Sequence, residues 1–460
     1  MDAELAEATV QELHGFLTQH PSIEWVTPAS PEYAAIRTAF ARLPALNPCV
    51  IVRPPTIAEA VALVAFLIAR DIPFTVRAGG HDNFGRSFQD QGVTLDLRLI
   101  NHVEIDPSGD TARIGGGALL GQVIAQLHKQ GLVAATGIVS GVGYVGWALY
   151  GGYGPYSTQF GLGVDQIRAA KVINAQGELV EADADLLRAI RGAGGAFGVL
   201  AEITVPVHRL EKILAGVLFF DSRHLAAVIR HYNHGYQALS AQGIPAALSL
   251  QQAVINTPTG PAFIVLFLWG SADLETGRVW LDKISTLASV ASHSVQETTP
   301  PAWLEEASRL APKDSRGRVW TISLRQLTDE VVDAIGTYTT EMPPDPRALV
   351  AIHELRAASP SAHPAPDAVF PGREGHYMFE IVGATDTPEA LEAIRAWGQP
   401  FQTALARTDP GNILPAPYLA LSAPEELDMR RVFGAEYEFL CKLKRERDPR
   451  GVFNAAIPKF

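Results

Sequence analysis

The octapeptide Val76 to Asn83, VRAGGHDN, constrains this chain more than any other stretch. It continues an apolar segment, PFTVRA, that reads as a short strand, so the glycines fall where the backbone must turn. Gly79 and Gly80 let backbone N–H groups converge on an anionic group with no side chains in the way, and Arg77 adds positive charge beside them. His81 brings a reactive imidazole to the exit of the loop. Taken alone, the same residues also read as an ordinary turn with His81 exposed, because short glycine motifs recur by chance.

The surrounding glycines decide between these readings. A second cluster, GIVSGVGYVGWALYGGYG, occupies residues 137–154, followed by GLGVDQI at 161–167 and RGAGGAFGVLAEITV at 191–205. A dinucleotide fingerprint needs G-x-G-x-x-G opening a helix. In the run from Gly115 to Gly121 the last glycine falls one residue late, and in RGAGGAFG it is Phe197 that stands three residues after Gly194. A Rossmann enzyme is therefore disfavoured.

In this order the blocks resemble the flavin-binding half of the vanillyl-alcohol-oxidase, PCMH-type flavoproteins, in the branch of berberine-bridge-enzyme-like and 6-hydroxynicotine-oxidase-like FAD oxidases. The resemblance spans residues from about 45 to 209 and resumes at PYLAL (417–421) and DPRGVFN (448–454). It implies an α+β fold: a PCMH-type FAD-binding domain of two α+β subdomains, plus a substrate domain whose antiparallel sheet is covered by helices. It also implies that the ring nitrogen of His81 bonds the 8α carbon of the isoalloxazine. Many members add a link from a cysteine in a GxCxxVG motif, and here Val139 stands in that place, so a single covalent link to FAD is expected. By the same resemblance Gly79, Gly80, His81, Asp82 and Asn83 hold one side of the cofactor. Ser140, Gly143, Gly146, Gly151 and Gly154 line the other, and Ile203 and Val205 lie by the adenine. Val142 occupies a position associated with oxygen access, which favours an oxidase.

Composition fits a large enzyme, since 460 residues exceed one core and 47% hydrophobic content is ample for burial. The expected division is an FAD-binding domain over 1–209, a substrate-binding domain over 210–411 and a C-terminal segment, 412–460, returning to the first. A formal net charge of −12 without a basic face argues against nucleic acid. Only Cys49 and Cys441 are present, in no metal-binding spacing. The acidic N-terminus reads as an amphipathic helix, not a secretory signal, and no apolar run is long enough to span a membrane. An intracellular, cytoplasmic protein with no metal is expected; the sequence is silent on its oligomeric state.

Thr56 and Glu59 stand in capping-box spacing at the head of a helix striped by Ile57, Ala60, Val61, Val64 and Leu67. In the middle section AALSLQQAVI, PAFIVLFLWG, VWTISLRQL, LVAIHELRA and HYMFEIVGA read as strands, with helices at TGRVWLDKISTLA and PEALEAIRAWGQPFQTALA. A sheet covered by helices on one side leaves an open face for the flavin. The segment Ser359 to Gly375 reads as a lid-like or disordered loop.

Catalysis needs a base over the flavin, and Glu354, Glu380 and His376 lie in strands otherwise apolar. Alternation puts His376, Met378 and Glu380 on one face. His376 and Glu380 read equally as a surface pair, and Glu354 with Arg356 as an exposed ion pair. Tyr418 matches the first tyrosine of the family's YxN motif, although Ala420 replaces the asparagine, and Tyr144 is a second phenol to consider. Trp147 and Tyr150 either pack or shape the cofactor tunnel.

The expected activity is an FAD-dependent oxidase. It takes hydride from a C–OH or C–N centre of a small, natural-product-like molecule and passes the electrons to molecular oxygen to give H2O2. The alternatives are an oxidative cyclase and an FAD-binding scaffold for a non-redox cyclisation or isomerisation.

Overall fold

Thr56 begins the helix Ile57–Ala69 in the computed structural model, which describes residues 3–42, 46–312, 315–363, 365 and 367–460. Its hydroxyl accepts the N–H of Glu59 at 3.3 Å and donates to the Glu59 carboxylate at 2.7 Å, so the first turn is tied before packing begins. Ala60, Val64 and Leu67 of the stripe are buried, against a sheet ordered Glu24–Val26, Val50–Arg53, Val93–Asp96, Phe74–Arg77. The last three strands are parallel. Both of their faces are covered, so the polar residues Thr75, Arg77, Thr94 and Asp96 within them are buried too.

A second, antiparallel sheet follows, ordered Val103–Ile105, Thr111–Gly115, Val199–Pro206, Ala169–Ile173, Leu179–Glu181. The two sheets meet at the glycine triplet 115–117. A Cβ on Gly117 would lie 1.8 Å from the Leu97 carbonyl oxygen and one on Gly116 would lie 2.2 Å from that of Leu200.

At Ile213–Phe220 the chain enters a third sheet of eight strands, antiparallel throughout. Its order is Val290–His293, Ile213–Phe220, Gly260–Trp269, Leu248–Thr257, Leu349–Leu355, His376–Thr385, Arg316–Leu324, with Gln296–Thr298 also on Ile213–Phe220. The five strands expected from alternation are all present. Helices Leu225–Ser240, Leu274–Ser285, Asp329–Thr340 and Leu391–Ala406 cover one face through a shared core that includes Trp320, Phe379 and Ile381. The other face joins the core of the five-stranded sheet through Ala253, Ile264 and Leu266. The fold is α+β, as expected.

The segment Ser359 to Gly375 corrects the lid reading, for all of it but Pro364 and Pro366, which lie outside the described residues. Ser359 and Ser361 are 0% and 1% exposed. Ser359 donates to the Ser157 carbonyl at 2.6 Å, Ser361 accepts the N–H of Leu162 at 2.7 Å, and the N–H groups of Val369 and Phe370 both donate to Arg191 O. The long connection lacks regular structure because its polar groups are satisfied by the loops it lies on. Among the described residues, no helix is long and apolar enough to cross a membrane.

Candidate active site

Two glycine loops press together where the first two sheets meet the third. A Cβ on Gly79 would lie 2.2 Å from the backbone nitrogen of Gly143, and one on Gly143 would lie 2.6 Å from that of Gly79. Gly80 has φ +73°, a conformation glycine adopts without penalty. Beside this contact opens a cavity of about 470 Å³, in the size range of small-molecule sites. Gly79, Gly80, His81, Asp82 and Asn83 line it from one loop and Val139, Val142, Gly143 and Gly146 from the other. The His81 ring stacks on Phe40, with centroids 4.3 Å apart, and a Cβ on Gly141 would come within 2.9 Å of its Nε2. Asp82 holds the loop in shape: its carboxylate accepts the N–H of Phe84 at 3.2 Å and pairs with Arg86 Nε at 2.5 Å. Arg86 also donates to the carbonyl oxygen of Ala420 at 2.7 Å, tying the loop to the C-terminal segment.

The far wall is the open face of the eight-stranded sheet, which contributes Gln251, Ala253, Ala351, His353, Glu380 and Val382. Glu380 pairs with Ala351 across the strands, and His353 with Met378, so the imidazole and the carboxylate project from neighbouring strands on one face. His353 Nε2 lies 3.1 Å from Glu380 Oε1 and 3.3 Å from Gln251 Nε2. Tyr418 and Tyr153 complete the polar end, edge to face with centroids 5.1 Å apart. Burial pushes both phenols up. The Tyr418 hydroxyl oxygen accepts the N–H of Gly152 at 3.3 Å. A Cβ on Gly151, at φ +130°, would meet the Tyr418 ring at 2.7 Å, so this glycine is needed for the tyrosine to seat.

Several expected site residues lie elsewhere. Arg77 is 1% exposed and outside the cavity wall. Its guanidinium donates to the carbonyls of Ile36 and Thr38, both at 2.5 Å, and burial together with Arg98 lowers its pKa to about 10. The positive charge beside the loop is Arg86 instead. Tyr144 donates to Ala135 O at 3.0 Å inside the core, with its phenol pushed up by burial. Ser140 bonds Ser308 at 3.2 Å, away from the cavity. Gly151 and Gly154 stand behind the wall, Gly154 because a Cβ there would strike the Thr136 carbonyl at 1.7 Å.

Ile203 and Val205 are fully buried in the middle of the five-stranded sheet, and it is Gly198, Val199 and Leu200 that reach the cavity. Glu354 belongs to the helix-covered face, where it accepts from Tyr236 at 2.5 Å and Arg356 at 3.0 Å. That ion pair is buried, not exposed as one reading had it, since its side chains are 7% and 11% exposed. His376 is 2% exposed and stands behind Tyr153, so it is no surface group. Trp147 and Tyr150 both line the cavity, with Trp147 Nε1 donating to Tyr153 O at 2.9 Å and Tyr150 donating to Ile457 O at 2.9 Å.

Comparison with known proteins adds the chemistry. An FAD binding domain matches residues 48–183. The FAD-linked oxidoreductase aurO of Gibberella zeae is 29% identical over 437 residues, covering 94% of this chain and 85% of that protein. This chain is an FAD-dependent oxidoreductase that carries an FAD binding domain.

The oxidoreductase is also similar to (R)-6-hydroxynicotine oxidase of Paenarthrobacter nicotinovorans, 37% identical over 177 residues, a match covering 37% of this chain and 39% of the relative. A solved glucooligosaccharide oxidase of Acremonium strictum, described with a 6-S-cysteinyl, 8α-N1-histidyl FAD, shares the fold. Its TM-score is 0.79 at 20% identity, covering 94% of this chain and 96% of that one. The residues fit FAD. The paired glycine loops leave backbone, not side chains, along one side of the cavity, and any Cβ at Gly79 or Gly143 would force them apart. The apolar walls offered by Val139, Val142, Leu149, Val199 and Leu200 suit a flat ring system, while His81 and Arg86 supply polar contacts.

Proposed function

We propose that this FAD-linked oxidoreductase is an oxidase that takes hydride from a C–OH or C–N centre of a small, natural-product-like molecule, with O2 as final acceptor and H2O2 as product. The observation that carries the reading is one cavity walled on one side by both glycine loops and on the other by the polar patch of Glu380, His353, Tyr153 and Tyr418. Bound FAD supplies the two-electron acceptor and the route to oxygen. The protein's part is to hold it through residues 79–83 with Val139, Val142, Gly143 and Gly146, to keep water out with the apolar walls, and to manage the substrate proton. Glu380 and Tyr418 are the groups on the sheet side and the C-terminal segment that reach the reacting space. In the proposed division, residues 1–209 bind FAD, 210–411 bind substrate and 412–460 return to close the site.

His81 is proposed to carry a single covalent link. It lines the cavity, and Val139 stands where a linking cysteine would be. Acid precipitation of the purified protein with intact-mass determination tests this: yellow colour stays in the pellet with the added mass of one FAD, and His81→Ala releases it. Colour in the supernatant of the wild type would overturn the link. Anaerobic bleaching of the flavin by an alcohol or amine, with peroxide formed on readmitting air, supports the oxidase reading, and a panel that leaves the flavin oxidised counts against it.

A further inference from the structure

Arginines 86, 316 and 318 line the cavity, and two of them are already engaged. Arg86 holds the Asp82 carboxylate, and Arg318 holds that of Glu426 and lies over the Trp320 ring, 5.8 Å from its centroid. Arg316 differs. Among the described residues its side chain makes no hydrogen bond or ion pair, and its Nε is shielded from solvent with no partner. A guanidinium is always charged and carries five N–H donors, and buried donors are as a rule satisfied. An unpaired one on a cavity wall is therefore matched to an acceptor that the chain itself does not supply.

The place of Arg316 says which molecule brings that acceptor. It opens the strand Arg316–Leu324, and Gly317 beside it, at φ +132°, bends the strand where its first residue meets the cavity. Along His376–Thr385, Glu380, Val382 and Ala384 line the cavity in turn, and Gly317 pairs with Ala384. At ~3.4 Å per residue, Arg316 stands about 13 Å along the sheet from Glu380. The wall between them is hydrocarbon, made by Val382, Leu349, Ile255 and Ala384. Arg316 belongs to this sheet and not to the paired glycine loops, so it is set apart from the backbone that would hold the cofactor.

We propose that Arg316 is a specificity-determining residue that binds a carboxylate of the substrate, at the end of the molecule remote from the oxidised C–OH or C–N centre. The substrate class is thus an elongated apolar acid. The proposal rests on the oxidase reading above and deepens it. The planar fork of the guanidinium matches a carboxylate in two parallel hydrogen bonds. Glu380, of like charge, repels the same group from the other end, so the polar ends of the wall fix which way round the molecule lies. An ester or amide of the same acid keeps the apolar contacts and leaves the guanidinium uncompensated.

The test uses flavin-loaded holoprotein and two pairs of probes with no C–OH or C–N centre to oxidise: biphenyl-4-carboxylate and dodecanoate, each against its methyl ester. Binding is followed by perturbation of the flavin spectrum and by calorimetry, so no turnover is needed. Each acid is expected to bind on the order of 10-fold tighter than its ester, with a preference that shrinks as salt is added. Arg316→Gln should bring the acids down to the esters with flavin content unchanged, and Arg316→Lys should restore part of the difference. Equal binding of acid and ester by the wild type, or a preference that survives in Arg316→Gln, overturns the proposal while leaving the oxidase reading intact. Loss of FAD from Arg316→Gln also overturns it, since the guanidinium would then serve the cofactor. An acid preference in a protein whose flavin no alcohol or amine bleaches keeps the carboxylate site and removes the oxidase reading.

Discussion

At the scale of single residues, the contact of Gly79 with Gly143 is backbone against backbone, so neither loop can relieve a clash by a side-chain rotation. A methyl at Gly79 would meet Gly143 N at 2.2 Å and Gly141 O at 2.9 Å, forcing the loops apart where FAD is to be held. Gly79→Ala is therefore expected to lose both stability, by about 1–3 kcal/mol as for other overpacked sites, and flavin. Gly15→Ala, in the helix Ala3–Gln19 and outside the cavity wall, is the control, because nothing lies within 4 Å of a Cβ there. Comparing flavin absorbance per protein and thermal midpoint for the two variants checks this, and equal loading in both would show that the close approach is not what the cofactor needs. The motif VRAGGHDN announced this loop but misled about Arg77. A charge beside a glycine turn reads as aimed at the ligand, and nothing local reveals that carbonyls some 40 positions earlier, those of Ile36 and Thr38, have already claimed the guanidinium.

At the scale of elements, the strands of the third sheet were legible because period-two alternation is sharp in His376–Thr385, whose Phe379 and Ile381 pack under the helices while Glu380 faces the cavity. The same rule placed Glu354 and His353 on opposite faces but could not say which face met the flavin. The helix-side core decides that, since Val350 and Ile352 belong to it and fix Glu354 among Tyr236 and Arg356. Nothing in Ile203 or Val205 distinguished a cofactor wall from a sheet centre. Helices Leu225–Ser240 and Asp329–Thr340 went unread in the sequence, although Thr328 accepts the N–H of Val331 at 3.4 Å as a cap. One helix seats on the sheet through a notch: Gly383 of the strand and Gly398 of Leu391–Ala406 close on the Trp320 ring, and a Cβ on Gly398 would lie 2.2 Å from it. Gly398→Ala is predicted to destabilise the protein by about 1–3 kcal/mol while flavin binding in the surviving folded fraction is unchanged, read by denaturant unfolding followed through the tryptophans and the flavin separately. Loss of flavin without loss of stability would contradict it.

At the scale of the whole molecule, the three sheets converge on buried ionisable groups, and these set how stability responds to pH. His376 and His208 are both held below their ordinary value of 6.5, His376 by burial against Tyr153 and His208 by burial, with Arg168 adding to the shift. A histidine whose folded pKa is depressed takes up its proton more readily in the unfolded chain. As pH falls through 6.5 the unfolded state binds protons that the folded state refuses, so stability declines toward the lower folded pKa, at up to about 1.4 kcal/mol per pH unit for each such group. The carboxylates act later. Glu202 is pushed up by burial but held below 4.5 overall by hydrogen bonds and charge from Lys171 and His102, so the stability it adds is lost only as pH falls below that value. Between pH 6.5 and 5 the slope should thus belong to the histidines. Denaturant unfolding of His376→Asn is expected to show a shallower loss than wild type across that interval and the same loss below it. Parallel curves would mean that the imidazole behind Tyr153 charges as easily in the folded protein as in the unfolded chain, which its two hydrogen bonds and 2% exposure argue against.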